Sequence, residues 1–455
     1  MSIPAQYVTR YIYHFTHIDN LPSLLRNGFL AKNHPNFPLA SSTSIAAASI
    51  QERRAAMNVT CGAGGVIHDY VPFYFGSVSP MLLGILNRKN IDQFDILYFE
   101  FPISLLMRPG AVFTDASANA GISPNFYDDV QLLGNLNWSE IDSWRWGSGS
   151  ENQKRQRMAE ALIPNSVQVQ NASKVIVWNN DVGDKVRRIV KEHGCSFPPI
   201  ALESEYRRHY FTKFEDPAER GKGFTLVTGP KETWDIYSWA RTEANDVTQK
   251  SRRPSFDSLT EMLETLREDF GCLPHTAELI GLRSANGMHK KTVDVHTKEV
   301  VEKLLELHEF DDLPLFARNR VELAAYLHDI GKGPKSRWTW NDGLQKVDPD
   351  HPVRAMEMMV DIFINHVACD KPEAVNSILK LVCYHDLVGE VLGKGRDKQQ
   401  IVDVAHNLLE LDMLFVLGRA DATSLSEEWW DEDEAVELYS YCRKKIIARN
   451  QITGY

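Results

Sequence analysis

The spacing of apolar side chains changes once along this chain, and this change constrains the fold more than any other feature. Up to about residue 210, short apolar and aromatic runs alternate with turns, as at residues 96–101 and 175–178, which is typical of β-strands. From about residue 286 onward, apolar residues recur every three or four positions, for example over 401–416, which is typical of helices packed on one face. We therefore predict a multidomain chain, with an α+β domain at 1–210 and an all-α domain at 286–455.

Residues 211–285 fit neither pattern as a whole. Residues 224–230 predict a strand and a turn, and residues 256–270 predict an amphipathic helix. We predict that this stretch is a connector region that packs on one or both domains. A chain of 455 residues is expected to hold two or three domains.

Composition excludes several classes of protein. The six cysteines form no Cys-x-x-Cys pair, which argues against a disulfide framework or a zinc ribbon. No apolar run approaches the roughly 20 residues of a membrane span, and the N-terminus lacks the pattern of a secretory signal. We therefore expect a cytoplasmic protein with reduced thiols and no membrane partner.

The net charge of −11 is distributed unevenly. Residues 1–210 carry 19 basic and 18 acidic side chains, whereas the remainder carries 31 and 43. The first part can therefore hold a local basic groove, and the second part should repel nucleic acid except at a metal.

The sharpest local motif is a His-Asp pair in the helical part, followed by glycine and lysine. Other histidines and aspartates precede and follow it on separate predicted helices, and helical bundles commonly bring such side chains together. An imidazole-rich set favours Mn, Fe, Co, Ni or Zn over Mg and Ca. The candidate metal ligands are His296, His328, Asp329, His351, His385 and Asp421.

This order of residues resembles the HD phosphohydrolase superfamily over residues 286–430. The resemblance implies an HD helical bundle in which one metal is held by His296, His328, Asp329 and Asp421. It also implies that His351 and His385 allow a second metal, with Asp329 as the bridge. Lys332 and Arg337 are candidate phosphate contacts. Asp386 is either a partner that orients His385 or a surface carboxylate.

Three elements of the first part carry a second set of candidates. Residues 13–20 join a strand end to a helix start, where backbone N–H groups suit a phosphate-bearing ligand. The Arg53-Arg54 pair precedes an aromatic run at 70–75. Glu160 is a lone acid where a strand begins. Taken singly, the histidine of the first element and Glu160 are better explained as a core histidine and an edge-strand carboxylate, and the aromatic run is equally typical of a core strand.

Together these elements resemble the DarT family of NAD-dependent DNA ADP-ribosyltransferase toxins, over about residues 8–180. The resemblance implies an ADP-ribosyltransferase-like split β-sheet domain in which Glu160 is the catalytic glutamate. It implies that Arg54, or its neighbour Arg53, contacts phosphates and assists deprotonation of the DNA base. NAD is then the co-substrate, held by His14, Thr16, Asn20, Tyr70 and Tyr74.

A loop-rich segment at 111–155 mixes aromatic residues with arginine, which suits stacking on single-stranded bases, although the aromatic side chains equally suit packing under a long loop. The candidate DNA-binding residues are Met81, Arg145, Lys154, Arg155 and Arg157. The family resemblance also implies a separate antitoxin that removes the ADP-ribosyl mark.

The leading hypothesis is a toxin-like fusion, in which an ADP-ribosyltransferase modifies a base of single-stranded DNA and a metal-dependent HD domain hydrolyses a phosphate ester. One alternative is a phosphotransferase or phosphodiesterase that processes RNA ends or nucleotides. Another is an HD module that only regulates the first domain.

Overall fold

The computed structural model describes residues 2–38, 48–118, 122–143, 150–206, 208–212, 225–246, 248–251, 253–284, 291–369 and 371–453. The chain forms two compact units. The first comprises Met1–Asn87 and Ile91–Leu226, and the second comprises Arg88–Asn90 and Val227–Tyr455. The break after residue 226 falls inside the stretch for which a connector was predicted.

The first unit is built on β-strands joined by short helices. Its strands are β1 (Tyr11–His17), β2 (Phe29–Leu30), β3 (Tyr70–Tyr74), β4 (Ile96–Pro102), β5 (Val112–Thr114), β6 (Phe126–Tyr127), β7 (Glu160–Pro164), β8 (Ser166–Val167), β9 (Lys174–Val177) and β10 (Ile200–Leu202). Its helices are α1 (Leu21–Asn27), α2 (Ala48–Ala56), α3 (Pro80–Leu86), α4 (Trp138–Ile141), α5 (Glu151–Arg157), α6 (Asn180–His193) and α7 (Glu203–Tyr206).

Eight of these strands form one mixed sheet in the order β10-β9-β4-β1-β3-β7-β5-β6. Strands β1 and β4 pair along their whole length, and so do β3 and β7. In contrast, β1 and β3 are joined only at Tyr13 and Tyr74. The sheet therefore opens between β1 and β3, and this opening is the split that the sequence predicted.

Aromatic side chains fill the core of the first unit. Phe29 contacts the rings of Phe99 and Phe101 edge-on, at centroid distances of 5.0 and 5.7 Å, and Phe73 contacts Phe101 at 5.0 Å. Phe99 and Phe101 lie two residues apart on β4 and so face the same side of the sheet, where Phe73 of β3 and Phe29 of β2 pack against them. This packing fixes the strands that border the opening.

The regular secondary structure described for the second unit is helical, apart from isolated β-bridges such as that between Phe256 and Val367. Its helices are α8 (Pro230–Ala244), α9 (Leu259–Glu268), α10 (Pro274–Ala277), α11 (Val293–Glu306), α12 (His308–Asp311), α13 (Leu315–Leu327), α14 (His351–Asp361), α15 (Pro372–Cys383), α16 (Leu387–Lys394), α17 (Gln399–Val404), α18 (Leu408–Leu425) and α19 (Glu432–Thr453). None of the described helices combines the length and apolar character that crossing a membrane requires.

Two predicted elements differ in the structure, the helix over 401–416 and the strand at 224–230. The single helix expected over 401–416 is two helices. The extended backbone of Ala405 ends α17, and the Asn407 side chain caps α18 by accepting the Glu410 N–H at 3.0 Å. Helices α8 and α9, from the predicted connector, contribute Tyr237 and Met262 to the same apolar core as Leu327 of α13. Residue 224 of the expected strand lies outside the described residues, and Thr225 forms only an isolated bridge.

Candidate active sites

Glu160 is the first residue of β7 and lies almost completely inside the first unit. Its backbone N–H donates to Thr114 Oγ1 at 3.1 Å, and its backbone pairs with Tyr74 across the β3–β7 ladder. Arg54 of α2 donates to both carboxylate oxygens, at 3.0 and 2.9 Å, and the Ala118 N–H donates to Oε1 at 3.0 Å. Arg54 and Glu160 are only 6% and 1% exposed. This buried, two-pronged ion pair has the geometry of a strong charge-assisted contact.

A cavity of about 390 Å³ opens beside this pair. All five residues predicted to hold NAD line it, together with Arg54, Met81 and a lysine, Lys32, that the sequence analysis did not single out. Arg54 is among the described residues that form the cavity walls, whereas Glu160 is not. Arg54 therefore reaches the cavity, while the carboxylate of Glu160 lies outside its lining.

The polar groups of this cavity are held by neighbours. His14 directs Nδ1 at the Pro72 carbonyl at 2.8 Å, and Asn20 donates to Thr16 Oγ1 at 3.0 Å. Burial lowers the pKa of His14 to about 4, which keeps the ring neutral near pH 7. With Nδ1–H donating to Pro72, Nε2 of the neutral ring is an acceptor.

Two tyrosines complete the wall. The Tyr70 hydroxyl donates to the Gly64 carbonyl at 2.8 Å, and the Tyr74 hydroxyl lies 2.6 Å from Met81 Sδ. Burial raises the pKa of Tyr74 above its ordinary value, so its hydroxyl keeps its proton. Both rings therefore present fixed aromatic and hydroxyl surfaces.

The predicted DNA-binding residues are less close together. Met81 lines the cavity, and three cations lie on α5. Lys154 is 52% exposed and pairs with Glu151, whereas Arg157 is 10% exposed and pairs with Glu140 at 3.3 Å. Arg155 donates to the Ile122 carbonyl at 2.8 Å.

The structure describes only some of the aromatic and arginine residues of the 111–155 segment. Arg145, Trp144 and Trp146 lie outside the described residues. Trp138 is not free to stack on a DNA base. Its ring stacks with that of Tyr7 at 5.1 Å and lies under the Arg10 guanidinium at 3.9 Å. Trp138 therefore packs under the loop, as in the alternative to DNA stacking.

The second unit brings all six predicted metal ligands into one cluster. His296 lies on α11, the His328-Asp329 pair ends α13, His351 begins α14, His385 follows α15, and Asp421 lies on α18. Glycine is needed after the His-Asp pair because a Cβ on Gly331 would lie 1.9 Å from the His351 carbonyl oxygen. This close approach brings His351 to the pair.

The histidines are oriented by hydrogen bonds on their outer nitrogens. Nδ1 of His328, His351 and His385 faces the carbonyls of Ala325, Asp348 and Val382 at 2.7–2.8 Å. The Ser424 hydroxyl lies 3.3 Å from Nδ1 of His296. Contacts of this kind fix the tautomer that turns Nε2 inward, as in metal sites.

The inner atoms form two groups around Asp329. Its Oδ2 lies 3.4 Å from His328 Nε2 and 3.6 Å from His296 Nε2, while its Oδ1 lies 3.1 Å from His351 Nε2. Asp421 Oδ1 lies 3.2 Å from His296 Nε2. Each group of donors is compact enough to hold a metal ion.

Two observations fit a bound cation. Nε2 of His328 is buried and has no hydrogen-bond partner in the described part of the chain. Burial opposes protonation of His328, but the adjacent Asp329 carboxylate outweighs it and raises the pKa of His328 to about 9. A site that draws a proton onto a buried imidazole favours positive charge, and four imidazoles with carboxylates suit a divalent transition metal.

The predicted phosphate contacts lie at different depths. Lys332 donates to Asp329 Oδ2 at 2.6 Å and reaches the centre of the cluster. Arg337 instead donates to the Gly331 carbonyl at 3.0 Å and pairs with Asp348. Arg337 therefore supports the loop before His351.

Comparisons with known proteins agree with this geometry. A sequence model of the family described as "ssDNA thymidine ADP-ribosyltransferase, DarT" matches residues 13–211. A DNA ADP-ribosyl transferase of Thermus sp. (strain 2.9) is 34% identical over 185 residues, which cover 40% of this chain and 87% of that relative. The chain belongs to the DarT family. An HD domain model matches residues 293–408, so the DarT domain is followed by an HD domain, as the sequence predicted.

Other relatives match the DarT domain over similar lengths. A DNA ADP-ribosyl transferase of Escherichia coli O127:H6 is 27% identical over 38% of this chain and 81% of that relative. The solved structure of Thermus sp. 2.9 DarT in complex with ADP-ribosylated ssDNA is 30% identical, covering 44% of this chain and 96% of that one, with a TM-score of 0.39. The α+β then all-α class, with a DarT-like sheet and an HD bundle, is confirmed.

Proposed function

We propose that the first unit transfers ADP-ribose from NAD to a base of single-stranded DNA, and that Glu160 and Arg54 carry out this transfer. The observation that carries the proposal is the buried Arg54–Glu160 pair beside a cavity lined by every residue expected to hold NAD. Because the matching family is described as a thymidine ADP-ribosyltransferase, thymine is the base to test first.

In this proposal NAD occupies the cavity. His14, Thr16 and Asn20 supply polar contacts to its sugar and phosphate groups, and Tyr70 and Tyr74 form the walls beside the nicotinamide. A base nitrogen then bonds to the ribose carbon as the bond from that carbon to nicotinamide breaks. Nicotinamide leaves as the neutral molecule, and the proton of the base is released to water. The Glu160 carboxylate stabilises the positive charge that develops on the ribose.

Arg54 has two tasks under this proposal. It neutralises Glu160 before substrate is bound, as its two hydrogen bonds indicate. Because it also reaches the cavity, it can turn one N–H toward a phosphate or the DNA base when the ribose takes over an oxygen of Glu160. Among the described residues, we assign Met81 and Lys154 to DNA binding. Met81 lines the cavity, and Lys154 is the most exposed cation of α5.

The transfer is tested with the full chain, labelled NAD and single-stranded oligonucleotides with and without thymidine. We expect a mass gain of one ADP-ribose on thymidine-containing DNA, lost in Glu160→Gln and kept in Glu192→Gln, whose side chain is exposed on α6. Transfer at an unchanged rate by Glu160→Gln would remove the catalytic assignment. Activity on RNA ends without NAD consumption would favour the processing alternative.

The second unit is proposed to be a metal-dependent phosphohydrolase. A bound divalent transition metal (Mn, Fe, Ni, Co or Zn) supplies a Lewis acid and lowers the pKa of a bound water. His296, His328, Asp329 and Asp421 would hold one ion. Lys332, which already reaches Asp329, is placed to bind the phosphate of the substrate.

Hydrolysis is tested with a phosphodiester such as bis(p-nitrophenyl) phosphate, with nucleotides, and with the ADP-ribosylated DNA made by the first unit. We expect metal-dependent turnover of at least one of these, lost in His328→Ala and Asp329→Ala. A fully metal-loaded protein that hydrolyses none of them would favour the regulatory alternative for this unit.

We propose that a separate enzyme removes the ADP-ribosyl mark and that the first unit acts as a toxin in its absence. A relative from Thermosipho africanus, 23% identical over 42% of this chain and 48% of that relative, is described as a transferase–glycohydrolase fusion protein. Expression of the chain alone should arrest bacterial growth, and Glu160→Gln should relieve it. Equal growth arrest by both would contradict the toxin role.

A further inference from the structure

We propose that Asp386 is a metal ligand, and that it completes a second ion site with Asp329, His351 and His385. The inference rests on the proposed metal centre of the second unit and extends it. The resemblance that predicted the other six ligands left Asp386 as an orienting or surface residue. Its position in the structure favours a direct role.

Asp386 directly follows His385, at the point where α16 is about to begin. Its Oδ1 lies 3.7 Å from His385 Nε2, and its Oδ2 lies 3.8 Å from His351 Nε2. The two imidazole nitrogens are themselves 3.0 Å apart. Two atoms that each bind one ion at about 2.1 Å are separated by about 3–3.5 Å, so these three side chains converge at nearly the spacing of ligands to one ion.

Asp386 is not engaged elsewhere. No group in the described part of the chain donates a hydrogen bond to its carboxylate, which pairs with the two imidazoles and also lies within 4.8 Å of a carboxylate oxygen of Asp421. An orienting aspartate would accept a hydrogen bond from the outer nitrogen of its histidine. That position is already taken, because Nδ1 of His385 faces the Val382 carbonyl at 2.8 Å.

The number of donors also favours a second ion. Without Asp386, four imidazoles and two carboxylates already reach the upper limit of the four to six ligands that one transition-metal ion usually takes. Asp329 divides them, because Oδ2 faces His296 and His328 while Oδ1 faces His351. The first ion then has His296, His328, Asp329 and Asp421, and the second has Asp329, His351, His385 and Asp386.

Metal content tests this assignment without relying on turnover. The full chain, stripped with a chelator, is titrated with Mn²⁺ alone and then with Zn²⁺ alone, and bound metal is measured by calorimetry and elemental analysis. Asp386→Ala is compared with Asp403→Ala, which removes an exposed carboxylate on α17, and circular dichroism checks that each variant is folded.

We expect two ions per chain for the wild type and for Asp403→Ala, and one ion for Asp386→Ala or a second ion bound at least 10-fold more weakly. Two ions held with unchanged affinity by Asp386→Ala would overturn the inference and leave the proposed metal centre intact. One ion in the wild type would also overturn it. No ion in the wild type would overturn the proposed metal centre itself.

Discussion

Arg54 and Glu160 hold each other through two hydrogen bonds, of 3.0 and 2.9 Å, with almost no exposure to solvent. Two ionised groups that lie this deep are stable only as a pair, because each alone would be a charge without water around it. The structure therefore links a residue proposed for catalysis to the stability of the unit that contains it.

The first prediction separates these two effects. Arg54→Met and Glu160→Leu should each lower the free energy of unfolding by about 3–5 kcal/mol, since each leaves one buried charge unpaired. The double variant should lose clearly less than the sum, because it leaves none. Urea unfolding measures all four proteins. Additive losses would mean that the pair is not formed in solution.

The second prediction concerns pH and His14. Its pKa in the folded chain is about 4, below the ordinary 6.5. As the pH falls from 6.5 to 4, the unfolded chain binds a proton at this residue and the folded chain does not, so the free energy of unfolding should fall by about 1–3 kcal/mol. His14→Gln should remove that part of the acid sensitivity in thermal unfolding. His308→Gln, at a side chain 86% exposed, should not.

The third prediction concerns the glycine of the His-Asp motif. Gly331→Ala would bring a Cβ to 1.9 Å from the His351 carbonyl oxygen and 2.7 Å from the Ala355 nitrogen. Because these are backbone atoms, α14 must move, at a cost of about 3 kcal/mol or more. The variant should melt earlier and bind less metal. Gly389→Ala, with no atom within 4 Å of the added group, should leave both unchanged.

The fourth prediction separates a DNA contact from a structural cation on α5. Lys154→Gln should weaken binding of single-stranded DNA and reduce the slope of log affinity against log salt by about 0.7, with no change in melting. Arg157→Gln should instead lower the melting temperature, because it removes the largely buried partner of Glu140. Fluorescence anisotropy at several salt concentrations measures binding. An unchanged slope for Lys154→Gln would exclude a phosphate contact.

The fifth prediction concerns metal removal. Chelation should abolish phosphate-ester hydrolysis and lower the melting temperature of the chain, since a ligand that binds only the folded state stabilises it. ADP-ribosyl transfer should persist, because the described residues of the transferase cavity include no comparable metal cluster. Loss of both activities on chelation would show that transfer depends on the metal centre.

Local patterns were enough to predict much of this protein. The strands around the opening carry aromatic residues in runs, and His328-Asp329 is followed by the glycine that the α14 contact requires. Such features repeat over a few residues, so they can be read from the sequence. The separate helices that supply His296 and Asp421 follow the 3.6-residue period for the same reason.

What the sequence did not predict depends on contacts between distant residues. Arg54 and Glu160 are 106 positions apart, and no local pattern shows that one covers the other. The Thr114 hydroxyl and the Ala118 N–H that hold Glu160 lie 46 and 42 positions before it in the chain, so only the fold brings them together. For Asp386, the decisive fact is where its neighbour's Nδ1 points, which only the folded α15 determines.

The pairing of Tyr74 with Glu160 on the β3–β7 ladder limits how this family can change its length. Successive residues of a strand face opposite sides of the sheet, so one inserted or deleted residue between Glu160 and Pro164 would turn the carboxylate away from Arg54. A change of length in β7 would therefore disrupt the site even if every side chain of the strand kept its type. Natural variation in the size of the transferase should therefore collect in the loops before β7, and an alignment of many such sequences should show a strand of constant length here.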